Sequence, residues 1–182
     1  MLKIAIEGTN KTGKTSLANL IAMKHEIPFI RSENYNGDKT LGYFFDRLDR
    51  RISREKLEPS FITDTSVIHD LAEFAFYNRN VTKSKFYEFA RKVFIYLENS
   101  YDIIIVLQHD AENLISSAKN YSGDNLLQAA IVGYLANFVN KLKIKFIGSV
   151  SLQDRIAEFD KFMWGKIGLY KEVEIAKHEI LK

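Results

Sequence analysis

Gly8-Thr9-Asn10-Lys11-Thr12-Gly13-Lys14-Thr15 is the stretch that decides the fold. A glycine, four residues and then Gly-Lys-Thr is the spacing of a loop whose backbone N–H groups curl around phosphate oxygens. The glycines permit the curl. Lys14 supplies a point charge to the β- and γ-phosphates, and the Thr15 hydroxyl is suited to Mg²⁺. A helix opening behind the loop directs its N-terminal partial charge at the anion. The motif carries weight only if a strand runs into it and a helix leaves it. Leu2–Ile6 is a short apolar strand, and Lys14–His25 shows helical spacing of Leu17, Leu20 and Ile21. Gly8, Asn10, Lys11, Thr12, Gly13, Lys14, Thr15 and Ser16 are therefore the expected nucleotide-binding residues, with ATP and Mg²⁺ as cofactors.

Outward from the loop, the segments alternate. Ile27–Arg31 is a second strand, and Thr40–Lys56 a helix ended by Pro59. Phe61–Asp64 is a brief strand, followed by helices over Ser66–Tyr77 and Lys83–Glu98. Asp102–Leu107 contains Ile103-Ile104-Ile105-Val106-Leu107, an unbroken apolar, β-branched run. Such a run implies a strand covered on both faces, as in a parallel sheet. Glu112–Lys119 and Asp124–Leu142 follow as helices, Ile144–Gly148 as a last strand and Leu152–Trp164 as a last core helix. Residues 165–182 receive no assignment. The alternation predicts an α/β fold of the P-loop NTPase type, a three-layer sandwich. Its mostly parallel, five-stranded sheet is flanked by helices in a single domain over 1–182. Ligands in such sheets sit beyond the carboxyl ends of the strands.

The 182 residues, 46% hydrophobic, suffice for one domain with a sizeable core. A net charge of +3 is short of a nucleic-acid coat but suits polyphosphate substrates. The absence of cysteine excludes disulfides, thiolate–zinc sites and cysteine nucleophiles. No apolar run approaches a membrane span, and Glu7 interrupts the N-terminal one, so a soluble cytoplasmic protein is expected.

Ile4-Ala5-Ile6-Glu7-Gly8, running into the loop and on to Lys14-Thr15-Ser16-Leu17-Ala18, resembles the opening of thymidylate kinases and deoxyribonucleoside kinases. Asp64-Thr65-Ser66-Val67-Ile68-His69-Asp70, followed by Phe74-Ala75, resembles the segment after the third strand in deoxyribonucleoside kinases. There an acidic residue, Arg and Ser precede a helix. Arg31-Ser32-Glu33 is similar to the position whose carboxylate faces the phosphoryl acceptor. The resemblance implies a nucleoside or nucleoside-monophosphate kinase in which Asp64 and Thr15 serve the metal. It assigns Arg31, Glu33 and Ser66 to the acceptor and places a lid at about 111–125; Phe44, as a ring that could stack on a base, and Arg47, from its helix face, are the further candidate acceptor contacts. Relatives of this kind are often homodimers; the apolar faces of Lys83–Glu98 and Asp124–Leu142 are candidates for such packing. Two departures stand out. Thr65 replaces the family arginine, and the lid offers only Lys119 as a cation. A missing arginine can cost about 10³-fold in phosphoryl transfer, so a cation from Arg79, Arg91, Arg155 or another subunit would be needed.

The residues leave alternatives open. Glu33 is a general base, a holder of metal-bound water or a solvated loop acid. Asp64 is a metal-water ligand, a helix N-cap or both. Arg47, Arg50, Arg51 and Arg54 share a helix face. They form a grip on nucleotide or nucleic acid, or a solvated face balanced by Asp46, Asp49 and Glu55; the solvated face is the expectation, with Arg47 the exception. Of the aromatics Tyr35, Tyr43, Phe44, Phe74 and Tyr77, most should be core. The four histidines lack metal-ligand spacing, and His69, one turn past Asp64, is the one nearest the chemistry. Three functions remain: a small-molecule kinase as the main one, a catalytically weak or inactive nucleotide-binding module, and a polynucleotide 5′-kinase.

Overall fold

The computed structural model describes residues 1–8, 12–33, 38–107, 130–137, 139, 143–148 and 151–163. Within these the order is β1 (Lys3–Glu7), α1 (Lys14–His25), β2 (Phe29–Ile30), α2 (Leu41–Leu57), β3 (Phe61–Thr63), α3 (Val67–Tyr77), α4 (Lys83–Ser100) and β4 (Ile103–Leu107). A helical stretch over 130–137 (α5), β5 (Ile144–Ile147) and a helix over 152–163 (α6) complete it.

The five strands form one sheet in the order β2-β3-β1-β4-β5, and every pairing is parallel. β1 lies at the centre, with Ile4 opposite Ile62 of β3 and Ile103 of β4. The side-chain period of 2 sorts β4 between the two faces. Ile104 and Val106 join a core with α2, α3, α4 and α5, while Ile103, Ile105 and Leu107 join a second core with α1 and α6. Three layers result, and the buried run of β4 is the reason both faces need covering.

β2 is shorter than the sequence suggests. It is an edge strand paired only with β3, and Pro28 has no N–H to give, although its carbonyl accepts from Ile62 N at 2.9 Å. The predicted helix over Glu112–Lys119 lies outside the described residues. Among the described residues, no helix is long and apolar enough to cross a membrane.

α1 leaves β1 for one face of the sheet, and α3 leaves the adjacent β3 for the other. The carboxyl ends of β1 and β3 therefore border the crevice where such sheets bind ligands.

Candidate functional site

Of the phosphate-loop residues, Gly8 and Thr12–Thr15 lie at that crevice. Gly8 follows β1 with φ 149°, and a Cβ there would stand 2.9 Å from Thr12 Oγ1 and 3.2 Å from the Leu107 carbonyl oxygen. Gly13 caps α1 with φ 82°, a left-handed conformation that only glycine adopts freely. Three of the four helices α1–α4 begin with a hydroxyl residue bonded back to a backbone amide: Thr40, Ser66 and Thr82. α1 does not; Gly13 gives it no side-chain cap, and its first turn holds no acidic residue. The first amides of a helix must find some acceptor. At α1 no side chain of the cap residue serves them, and the helix's positive end, beside Lys14, suits an anion.

Asp64 links three elements. Its Oδ2 accepts from Thr15 Oγ1 at 2.6 Å and its Oδ1 from the Ser32 amide at 2.7 Å. Burial opposes its ionisation, but the hydrogen bonds from Thr15 and Ser32 outweigh burial and hold its pKa below the usual carboxylate value. An ionised carboxylate is thus fixed against the hydroxyl that follows Lys14. Asp64 is not the cap of α3. Ser66 is, its hydroxyl accepting from Ile68 N at 3.1 Å.

Glu7, at the end of β1, is fully buried and accepts from both the amide (2.6 Å) and the hydroxyl of Ser66. This ties the start of α3 to the strand that feeds the loop. His69 Nδ1 faces Glu7 Oε2 at 3.6 Å, and its Nε2 faces Glu73 at 3.9 Å. Ser66, expected at the acceptor, is fully buried with its hydroxyl engaged in this bonding.

The arginine stripe divides, which corrects the expectation of a solvated face. Arg50 and Arg54 are exposed and hold Glu33 at 3.2 and 3.3 Å, and Arg54 also donates to the Arg31 carbonyl at 2.9 Å. Arg47 and Arg51 are buried at 8% and 9% exposure. Arg47 Nη2 lies 2.5 Å from Asp70 Oδ1, and its Nη1 lies 2.6 Å from Glu73. Arg51 Nε lies 3.0 Å from Asp70 Oδ2, and its fork donates to the Thr65 carbonyl and hydroxyl, both at 2.6 Å. Burial opposes the charge on both guanidiniums, yet the facing carboxylates, Asp70 foremost, raise their pKa values further. Glu55, expected as a surface balance, is fully buried and accepts from Tyr101 Oη at 2.8 Å. Burial outweighs Arg51 there and pushes its pKa up. Burial also works against Glu73, but His69 and Arg47 bring its pKa down. Asp49 pairs with Lys92 of α4.

Phe44 corrects another expectation. It is fully buried, edge-on to Phe74 at 5.7 Å between ring centroids, so it presents no surface to a ligand here. Tyr77 is half-exposed, with Lys39 Nζ 3.8 Å from its ring centroid. It lines a cavity of about 560 Å³ with Leu41, Phe76 and Arg79, within the size range of small-molecule sites. Among the described residues, Arg155 is the one of the candidate replacements for a lid arginine that meets the loop: its Nη1 donates to the Thr12 carbonyl. Arg79 lies over Phe76, and Arg91 is exposed on α4. Asn10, Lys11, Tyr35, His109, His178 and the lid with Lys119 lie outside the described residues.

The importance of Asp70 and Arg51 was missed at the level of sequence. The available signal was an aspartate among the buried stripe of α3, where Val67, Ile68, Leu71, Ala72 and Phe74 are apolar. An acid on such a face needs a buried cation, and α2 supplies two.

No protein-family model matches the chain, and no curated protein does. Solved structures do. Deoxyadenosine kinase from M. mycoides with bound dATP aligns at a TM-score of 0.66 and 16% identity, covering 89% of this chain and 99% of that one. Thymidylate kinase from Ehrlichia chaffeensis aligns at 0.63 and 12% identity, covering 90% and 98%. Thymidylate kinase from Candida albicans aligns at 0.57 and 14%, covering 93% and 92%. With its phosphate loop at the crevice of an all-parallel, five-stranded sheet, the chain has the fold of the P-loop nucleoside and nucleotide kinases.

Proposed function

We propose that the protein transfers the γ-phosphoryl group of ATP, with Mg²⁺, to a deoxynucleoside or a nucleoside monophosphate. The observation that carries this is the glycine-capped N-terminus of α1, which has no side-chain cap, with ionised Asp64 bonded to Thr15. The M. mycoides kinase, whose structure holds dATP, lends support through shared fold.

Thr15 and Asp64 fit a magnesium ion. Both are hard oxygen donors, and Mg²⁺ completes its shell with water and phosphate rather than a protein cage. Among the described residues no cluster of three acidic or histidine side chains offers such a cage. Bound Mg²⁺ would neutralise charge on the β- and γ-phosphate oxygens. Lys14 and the first amides of α1 hold those phosphates and stabilise charge spreading over the γ-phosphoryl oxygens. Asp64 keeps Thr15 oriented and orders Ser32. Glu33, beside Ser32, is the candidate to take the acceptor's proton once Arg50 and Arg54 release it. The acceptor lies between α2 and α3, positioned by Arg31 and by the Arg47–Asp70–Glu73 cluster.

A second reading, a nucleotide-binding module with weak or no turnover, is favoured by one observation: Glu33, the candidate base, is paired with both Arg50 and Arg54. The polynucleotide 5′-kinase loses support, since half of the stripe that suggested it is buried. The test is product mass after incubation with ATP, Mg²⁺ and each of the deoxynucleosides and their monophosphates. One phosphorylated acceptor, lost in Lys14→Ala, supports the kinase. Full activity in Lys14→Ala would overturn it, and ATP binding without turnover on any acceptor would select the module.

A further inference from the structure

We infer that Arg155 is a positioning residue for the phosphate loop and sets how tightly the loop holds the donor's phosphates; this rests on the triphosphate reading of residues 8–15. Arg155 stands near the start of α6, only 7% exposed, with Nη1 donating to the Thr12 carbonyl. In a planar trans peptide the carbonyl of one residue and the N–H of the next point in opposite directions. A guanidinium that fixes the Thr12 carbonyl therefore also fixes the Gly13 N–H, turned away from α6. That amide opens α1 and stands beside Lys14.

Gly13 makes the bond necessary. At φ 82° and without a side chain, the Thr12–Gly13 peptide has more freedom to turn than any other residue would give it. A Cβ at Gly13 would also meet Arg155 Nη1 at 3.2 Å, so glycine and guanidinium occupy one space between them. α6 itself is held in place. Phe159 is buried with Leu17 and Ile21, and Asp160 bonds Lys24 and His25 at the far end of α1. Two helices strapped side by side deliver the arginine to the loop at a set height. The guanidinium adds a full positive charge to the end of α1 where its partial charge already favours an anion.

The test uses the full chain and titrates ATP with Mg²⁺ by calorimetry. Arg155→Met should weaken binding by about tenfold or more, the scale of one charge-assisted hydrogen bond. Arg155→Lys should recover affinity to within about threefold, since charge and donor both remain. Both variants should keep the wild-type melting temperature to within a few degrees. The Gly13 amide should lose its ATP-dependent protection from hydrogen exchange in Arg155→Met, while amides of 152–163 stay protected. A purely structural role would expose 152–163 and leave affinity unrestored by lysine, which overturns the inference. So would equal ATP affinity in Arg155→Met and wild type, with the triphosphate reading intact. If Arg155→Met fails to fold, Arg155→Gln decides by the same titration: weakening of threefold or more supports the inference, and unchanged affinity overturns it. No ATP binding by the wild type would sink both readings together.

Discussion

Asp70→Asn is the substitution whose cost can be worked out most fully. Asp70 has no exposed surface and faces two guanidiniums, at 2.5 Å from Arg47 and 3.0 Å from Arg51. Asparagine keeps the shape and removes the charge. Arg47 would retain Glu73 at 2.6 Å. Arg51 would retain only Glu55 at 3.9 Å, a carboxyl whose own pKa is raised, together with the neutral oxygens of Thr65. Removing one partner of a buried ion pair costs about 3–5 kcal/mol, because the other charge is left buried and uncompensated. Each kcal/mol lowers Tm by about 2–4 °C in a chain of this size, so the fall should be roughly 6–20 °C. The exposed Glu33 cluster provides the control, since surface pairs are worth about 0–1 kcal/mol. Urea unfolding of Asp70→Asn, Glu33→Gln and wild type at pH 7 measures both. A loss below about 1 kcal/mol in Asp70→Asn, equal to that in Glu33→Gln, would refute the reasoning, as it would mean that water screens the cluster.

Gly8→Ala should abolish ATP binding in titration and cost about 1–3 kcal/mol in denaturant unfolding, because its Cβ would meet Thr12 Oγ1 at 2.9 Å in a strained backbone. Thr15→Ala should lower turnover at least about a hundredfold and raise the Mg²⁺ concentration needed for half-maximal rate. Glu55→Gln should separate from wild type with pH. The folded protein raises this pKa, so Glu55 contributes stability that is fully present below its unfolded value of about 4.5 and is lost as pH rises through the folded value. The variant lacks that loss, so its stability relative to wild type should grow as unfolding curves are taken upward from pH 4.5.

The sheet was legible because its residues announce themselves locally. The unbroken β-branched run Ile103–Leu107 implied a strand buried on both faces, and the phosphate loop required β1 before it and α1 after it. The bounds of α1, Lys14–His25, coincide with those read from its apolar spacing. The stripe on α2 was not legible in the same way. Arg47 and Arg51 lie along the row of Phe44, Leu48 and Glu55, which is the buried row, whereas Arg50 and Arg54 flank it. Helical spacing groups all four, but which pair turns inward depends on Asp70, an acid on another helix. The same holds for Arg155, whose partner Thr12 lies 143 residues away. Pairings between distant elements leave no periodic trace in either segment.

The strand order has a consequence for how the chain reaches this structure. β1 is made first, yet its neighbours arrive late: Leu2 bonds Ser60 across 58 residues and Lys3 bonds Asp102 across 99. No hairpin can start this sheet, and each central pairing must close a long loop before it gains anything. Folding should be slow for a domain of this length. Until β1 and β4 meet, the run Ile103–Leu107 is an unpaired, uncharged, β-branched segment of the kind that joins other chains. The strand whose last carbonyl lies under Gly8 is thus, for the newly made chain, an aggregation hazard.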